Sequence, residues 1–297
     1  MRHHLTMRRR ASLGAIIVGT AIVAFAASTK SSLAAVIYNN DNPNSSMAAA
    51  SRPATPGRVE IEAADDFLLT QTTRIDSATF TGLIPLEAPL GSITGVAVEI
   101  YRVFPLDSTN PPDGNVPTRT NSPSDNALTG RDSTVAGELT FTPTLVAASF
   151  TASNSVLNGI NKSPNQTTSG EGAVSGEEVQ FSLTFPGGIT LPADHYFFKP
   201  EVALSNGDFF WLSATRPFSG TGSFTPDLQA WIRNSSLDPD WLRIGTDIVG
   251  GTTPPTFNMS FSLSGTVVPE PASIVPLLIG AGAMAIIYFR RFTRGQD

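Results

Sequence analysis

The sequence predicts an all-β body, a β-sandwich of jelly-roll or immunoglobulin-like type. Three observations predict it. First, several stretches alternate apolar and polar residues with period two, the mark of half-buried antiparallel strands. Val96, Val98 and Ile100 alternate with Ala97, Glu99 and Tyr101; Val179, Phe181, Leu183 and Phe185 with Gln180, Ser182 and Thr184; Phe257, Met259, Phe261 and Leu263 with Asn258, Ser260, Ser262 and Ser264. Second, glycine and proline number 25 and 23, and they cut the chain into strand-length pieces. Third, no stretch between the two chain ends holds a 3.6-residue period.

The elements follow in order. Arg8, Arg9 and Arg10 precede an apolar run over 11–27, and Ser31, Ser32, Leu33, Ala34 and Ala35 are the small residues a signal peptidase reads. Residues 1–35 therefore read as a secretory signal peptide, cleaved after Ala35 or, because Lys30 interrupts the exit region, after Ala27. The paired arginines leave a twin-arginine route open beside the general one. Residues 36–57 show little pattern and read as a flexible arm. The β domain spans 58–266, with about ten strands expected at 58–63, 75–82, 96–101, 139–150, 179–185, 195–204, 208–214, 228–234, 241–245 and 257–264. Ser205-Asn206-Gly207 marks a hairpin turn. Two long loops, 105–137 and 151–176, are rich in Pro, Asp, Asn, Ser and Gly.

Composition narrows the function. Between Val36 and Pro271 lie nine arginines and two lysines against 24 acidic residues, a balance of −13, although the whole chain stands at −6. So acidic a body argues against nucleic-acid or anionic-lipid partners. The chain has no cysteine, so disulfides, thiolate nucleophiles and Cys-ligated metals are excluded. Of three histidines, two lie at the N-terminus and only His195 belongs to the body. Multi-histidine zinc sites are therefore excluded too. No catalytic constellation emerges, and the chain reads as a non-enzyme.

Two acidic groups are candidate ligand sites. Asp65 and Asp66 follow Glu60 and Glu62, and clustered carboxylates suit Ca²⁺, which takes six to eight oxygens. The plainer alternative is a solvated acidic turn. Asp238 and Asp240 flank Pro239, where a calcium loop competes with a Pro-containing turn capped by Asp. Beside them Trp241 is the tryptophan expected at the surface, where it would stack on a sugar ring. Trp211 and Trp231, set among apolar neighbours, are expected in the core. His195, within Asp194-His195-Tyr196, is expected to be a structural hydrogen-bonder.

The tail is the most specific feature. Pro269-Glu270-Pro271 is followed by an uncharged run over 272–289, then Arg290, Arg291 and Arg294. Eighteen uncharged residues make a helix of roughly 27 Å, close to the roughly 30 Å of a bilayer core. The arginines hold its end on the cytoplasmic side. Together, Pro269, Glu270, Pro271, the apolar helix, Arg290 and Arg291 resemble the PEP-CTERM sorting signal of Gram-negative bacteria, here over 267–297. The Ala63-Ala64-Asp65-Asp66-Phe67 stretch also resembles the opening strand of exported sandwich domains bearing such tails.

That resemblance implies a route. A signal peptidase would remove the head, the tail would hold the protein in the inner membrane with its body on the non-cytoplasmic side, and an exosortase-type transpeptidase would process the Pro-Glu-Pro motif. The final destination would be the cell surface or an extracellular matrix, with extracellular polysaccharide as a partner. The alternative for the body is a carbohydrate- or calcium-binding module.

Overall fold

A computed structural model describes residues 34–109, 116–161, 167–215 and 227–269. The signal peptide expected over 1–35 falls outside them except for its last two residues. The tail helix expected over 272–289 and the motif residues Glu270, Pro271, Arg290 and Arg291 fall outside them altogether. Among the described residues no helix is long and apolar enough to cross a membrane.

The described chain is all-β. Its strands are β1 (Ala35–Asn40), β2 (Pro43–Ala50), β3 (Ile61–Leu69), β4 (Thr73–Ile84), β5 (Ile93–Val103), β6 (Pro123–Asp132), β7 (Thr140–Ala152) and β8 (Ser155–Val156). They continue with β9 (Val174–Leu191), β10 (Asp194–Leu204), β11 (Phe210–Ala214), β12 (Trp231–Asn234), β13 (Leu242–Arg243), β14 (Asn258–Met259) and β15 (Phe261–Val267). Among the described residues, helix is confined to a 3₁₀ turn, Leu90–Ser92, and a π turn, Ile244–Val249.

Two sheets result. In the nine-stranded one, β7, β9 and β4 run side by side. The other edge of β4 is shared: β15 pairs along 73–80, and β11 takes over at Gly82 and Leu83. Beyond β15 lies β1; beyond β11 lie β2 and then β8. The six-stranded sheet runs β13-β12-β3-β10-β5-β6. Every pairing is antiparallel except that of β2 with β8.

Apolar faces of both sheets share one core. Phe67, Tyr196 and Phe198 come from the six-stranded sheet; Tyr38, Phe80, Phe181, Trp211 and Phe261 come from the other. Phe198 joins the two layers by stacking on Phe261 at 5.0 Å, while the stacks of Tyr38 on Phe261 at 4.4 Å and of Phe80 on Phe181 at 4.7 Å lie within the nine-stranded sheet. Offset stacks of this kind add about 0.5–1.5 kcal/mol beyond the area they bury. Gly82 is required where the sheet changes partner, because a side chain there would strike the Phe209 ring and the Phe210 carbonyl.

Several sequence expectations need correction. Residues 36–57 are no flexible arm: they carry β1 and β2, and Met47, Ala48, Ala49 and Ala50 are 0% exposed. Buried on both faces, the alanine run shows no alternation, so period two could not reveal it. The expected loop 105–137 contains β6, a half-exposed edge strand on β5 with few apolar residues. The expected loop 151–176 contributes β8 and the start of β9. The strand expected at 241–245 stops at Arg243. There Asp247 Oδ2 accepts from the Arg243 backbone N–H at 2.8 Å and turns the chain into the π turn.

Candidate functional site

The chemistry concentrates on the outer face of the six-stranded sheet. Alternation puts Glu62 and Ala64 of β3 on this face, with Phe197, Lys199 and Glu201 of β10, Ala97, Glu99 and Tyr101 of β5, and Trp231 and Arg233 of β12. Register confirms the rows: Arg233 faces Glu62, Lys199 faces Glu99, and Ala97 lies between Glu201 and Asp132. An outward face should be wet, yet Lys199, Glu62, Glu201, Arg233 and Tyr101 are all buried. Chain from 116–126 and 234–241 lies over it: Arg233 donates to Pro239 O, Trp241 to Ser124 O and Arg119 to Asp240. A second small core of Ala64, Tyr101, Phe197, Leu228, Trp231 and Trp241 fills the space beneath.

Lys199 is the hub. Its Nζ, 1% exposed, lies 3.0 Å from Glu62 Oε1, 2.9 Å from Glu99 Oε2 and 3.3 Å from Glu201 Oε2. Burial pulls its pKa down, but Glu201, Glu62 and Glu99 outweigh burial and hold it above the ordinary value. Arg233 pairs with the other oxygen of Glu62, reaches Asp238 Oδ1 at 2.7 Å and donates to Tyr101 Oη at 3.1 Å. Burial favours a neutral Glu62, but Lys199 and Arg233 reverse this and keep its pKa low. Tyr101 donates to Glu99 Oε2 at 2.6 Å and contacts Glu62 Oε1 at 3.1 Å; burial and then Glu62 push its hydroxyl pKa up.

Glu201 is the member left over. It is 5% exposed, its Oε1 has no hydrogen-bond partner, and its Oε2 shares Lys199 with two other carboxylates. Burial comes first and Glu60 and Glu62 add to it, so the carboxyl is pushed up to about 8 despite Lys199. One oxygen from each of Glu60, Glu62 and Glu201 lies within 4.8 Å of the others.

The structure takes the sequence candidates apart. Asp65 and Asp66 form no solvated turn; both are 0% exposed on β3. Asp65 points inward, where its Oδ2 accepts from the Met259 backbone N–H at 2.7 Å, so it ties one sheet to β14 of the other. Asp66 Oδ2 accepts from Leu228 N at 3.3 Å and contacts His195 Nε2 at 2.6 Å, which gives His195 the structural role expected of it. Burial, reinforced by Asp66, holds the Asp65 carboxyl well above its ordinary value. Burial raises Asp66 as well, against the His195 contact.

Asp238 and Asp240 part company. Asp238 is largely exposed and binds Arg233, whereas Asp240 is 1% exposed and accepts from Arg119 Nη1 at 2.8 Å. Their turn is capped not by an aspartate but by Asn234, whose Oδ1 accepts from Ser236 N and Leu237 N, both at 3.0 Å. Trp241 is 0% exposed, contrary to the expected surface position. It lies under the Arg233 guanidinium, 4.3 Å from ring to cation, and edge-on to Tyr101 at 5.5 Å. The sequence places it beside two aspartates, and it cannot show the loop that folds those residues inward. Trp211 and Trp231 are core residues, as expected.

Sequence reasoning missed Lys199, Glu201 and Arg233. The signal was present: Glu62, Glu99, Lys199, Glu201 and Arg233 all occupy polar positions of alternating strands. Their number on one face exceeds what a simple solvated edge needs. No protein-family model, curated protein or solved structure matches the chain.

Proposed function

We propose that this is an exported, non-enzymatic protein of the cell surface or extracellular matrix, sorted through its Pro269-Glu270-Pro271 tail. One observation carries the proposal. Ala35 pairs with Gly265, so the first strand of the body begins beside the end of the last. Chain leading to the signal peptide and chain leading to the tail therefore depart from the same end of the β body. That arrangement suits attachment of both ends to one membrane surface during transit. The fold also leaves no slack before the motif: Val268 N still donates to Thr72 O at 2.9 Å, and Pro269 is exposed immediately beyond it. A proline disfavours helix at the residue before it, which suits a processing enzyme that reads extended chain.

The body in this proposal is a β-sandwich of jelly-roll or immunoglobulin-like kind, a stable acidic cargo. Its single histidine contacts the buried Asp66 and is read as a structural link. All three tryptophans are buried, so sugar stacking on Trp241 is not part of the proposal. The decisive experiment is Glu270→Ala in cells, followed by fractionation and intact-mass measurement. The variant should stay in the membrane fraction with its tail uncut while the wild type is processed. Equal mass and equal fractionation of the two would end the sorting proposal.

A further inference from the structure

We propose that Glu60, Glu62 and Glu201 hold one hard divalent cation of the calcium class at the solvent-facing end of the buried charge network. The proposal is independent of how the protein is sorted. Geometry comes first. One oxygen from each carboxylate lies within 4.8 Å of the other two. Calcium binds oxygen at about 2.3–2.6 Å, so oxygens up to about 4.8 Å apart can share an ion.

The second observation is Glu201 itself. It is 5% exposed, and its Oε1 is a buried acceptor with no donor. Its neighbour in the triad is another acceptor group, Glu60. Two carboxylates approach this closely only across a proton or a cation.

The charges agree. Glu62, Glu99, Glu201 and Asp238 meet two buried cations, Lys199 and Arg233, and Glu60 brings a further carboxyl to Glu62 and Glu201. Lys199 pairs with Glu62 Oε1 and Glu201 Oε2 and leaves the buried Glu201 Oε1 without a donor. Arg52, whose charge also acts on Glu201, is held by Asp208 at 2.7 Å and by the Val59 carbonyl at 2.7 Å. Carboxyl groups thus outnumber the cations around them, which suits a dication.

Access exists from two sides. Glu60 is partly exposed, and Glu201 lines a recess of about 260 Å³ with Pro53, Ala97, Asp132 and Thr134. The donor set is oxygen only, with no histidine or cysteine, so it suits calcium over zinc or copper. Partial exposure leaves room for the waters that complete a calcium shell.

The test uses the full chain in detergent, stripped of metal and titrated with CaCl₂ or MgCl₂, with melting temperature and metal stoichiometry as readouts. Calcium at 100 times its dissociation constant should raise the melting temperature by roughly 5–10 °C, at one ion per chain. Glu201→Gln and Glu60→Gln, each isosteric, should abolish that shift, while Asp76→Asn on the other sheet should keep it. An equal shift in Glu201→Gln and wild type overturns the site, because the ion would then bind elsewhere. No shift and no bound ion in wild type overturns it as well, and leaves a proton to bridge Glu60 and Glu201. A larger response to magnesium than to calcium would overturn the calcium class.

Discussion

The outer face of the six-stranded sheet carries Glu62, Glu99, Tyr101, Lys199, Glu201 and Arg233 beneath covering loops. The outer face of the nine-stranded sheet carries hydroxyls: Thr142, Ser182, Thr79 and Ser262 lie in one cross-strand row, Thr140, Thr184, Ser77 and Ser264 in the next. Neither row holds a charge. Thr140, Thr142, Thr144, Ser182 and Thr184 are open to solvent, and Thr79 and Ser262 satisfy each other at 2.6 Å. Both faces are written with the same alternation of apolar and polar residues. One polar face is a largely buried ionic network and the other a bare hydroxyl surface. Polar therefore does not mean exposed; what decides is whether a long loop lies nearby in the fold to cover the face.

The sharpest way to break this comparison is Lys199→Met. It removes the one ammonium that serves three carboxylates and leaves their charges buried. Truncating one partner of a buried charge pair costs about 3–5 kcal/mol. Urea unfolding should show a loss at or above that range. A loss below about 1 kcal/mol would mean that water reaches the network.

Next is Trp241→Ala, expected to destabilise by about 3 kcal/mol, the low end for a buried tryptophan. The low end applies because the 234–241 turn sits at the surface and can settle toward the void. The variant also loses the Arg233 contact, so Tyr101 fluorescence and near-UV dichroism should change with stability. An unchanged midpoint would show that the turn does not cap the sheet.

A smaller effect of opposite sign is expected at Asp65, the clamp between the two sheets. Its folded pKa is raised, chiefly by burial. The fold thus binds a proton that the unfolded chain releases above its ordinary value of 3.8. This contribution is greatest at low pH and declines as pH climbs from about 4 toward the raised folded pKa. Asp65→Asn keeps an oxygen for Met259 N and carries no charge. It should be more stable than wild type at pH 8, with the gap closing toward pH 4. A wild type that gains stability as pH rises, with no gain in the variant, would show that the carboxylate is the favoured form.

How much of this could be read beforehand follows from the same physics. The strands at 75–82, 96–101, 179–185 and 257–264 were legible because one face of each packs on the core. β2 was not, because alanines buried on both sides look like neither strand nor helix. β6 was not, because an edge strand needs few apolar residues. At the site, the types of residue were legible but their burial was not. Glu62 and Lys199 are 137 positions apart in the chain, and only the adjacency of β3 and β10 brings them to 3.0 Å. Asp65 and Asp66 drew attention as a pair, yet strand geometry sends them to opposite faces and to separate partners.

The smallest effects belong to the hydroxyl face. Thr142→Ala or Ser182→Ala removes a group that already exchanges with water, so no buried donor or acceptor is left unpaired. Surface changes of that kind fall within about 0.5 kcal/mol. Thr79→Ala is the informative case, since it breaks the 2.6 Å contact with Ser262, a residue only 9% exposed. A hydrogen bond of this kind contributes about 0.5–1.5 kcal/mol. The expected order is therefore Thr79→Ala above Thr142→Ala and Ser182→Ala, with all three well below Lys199→Met. If Thr142→Ala instead costs as much as Thr79→Ala, something covers the hydroxyl rows in solution. The contrast between the two faces would then be one of which partner covers each, not of covered against bare.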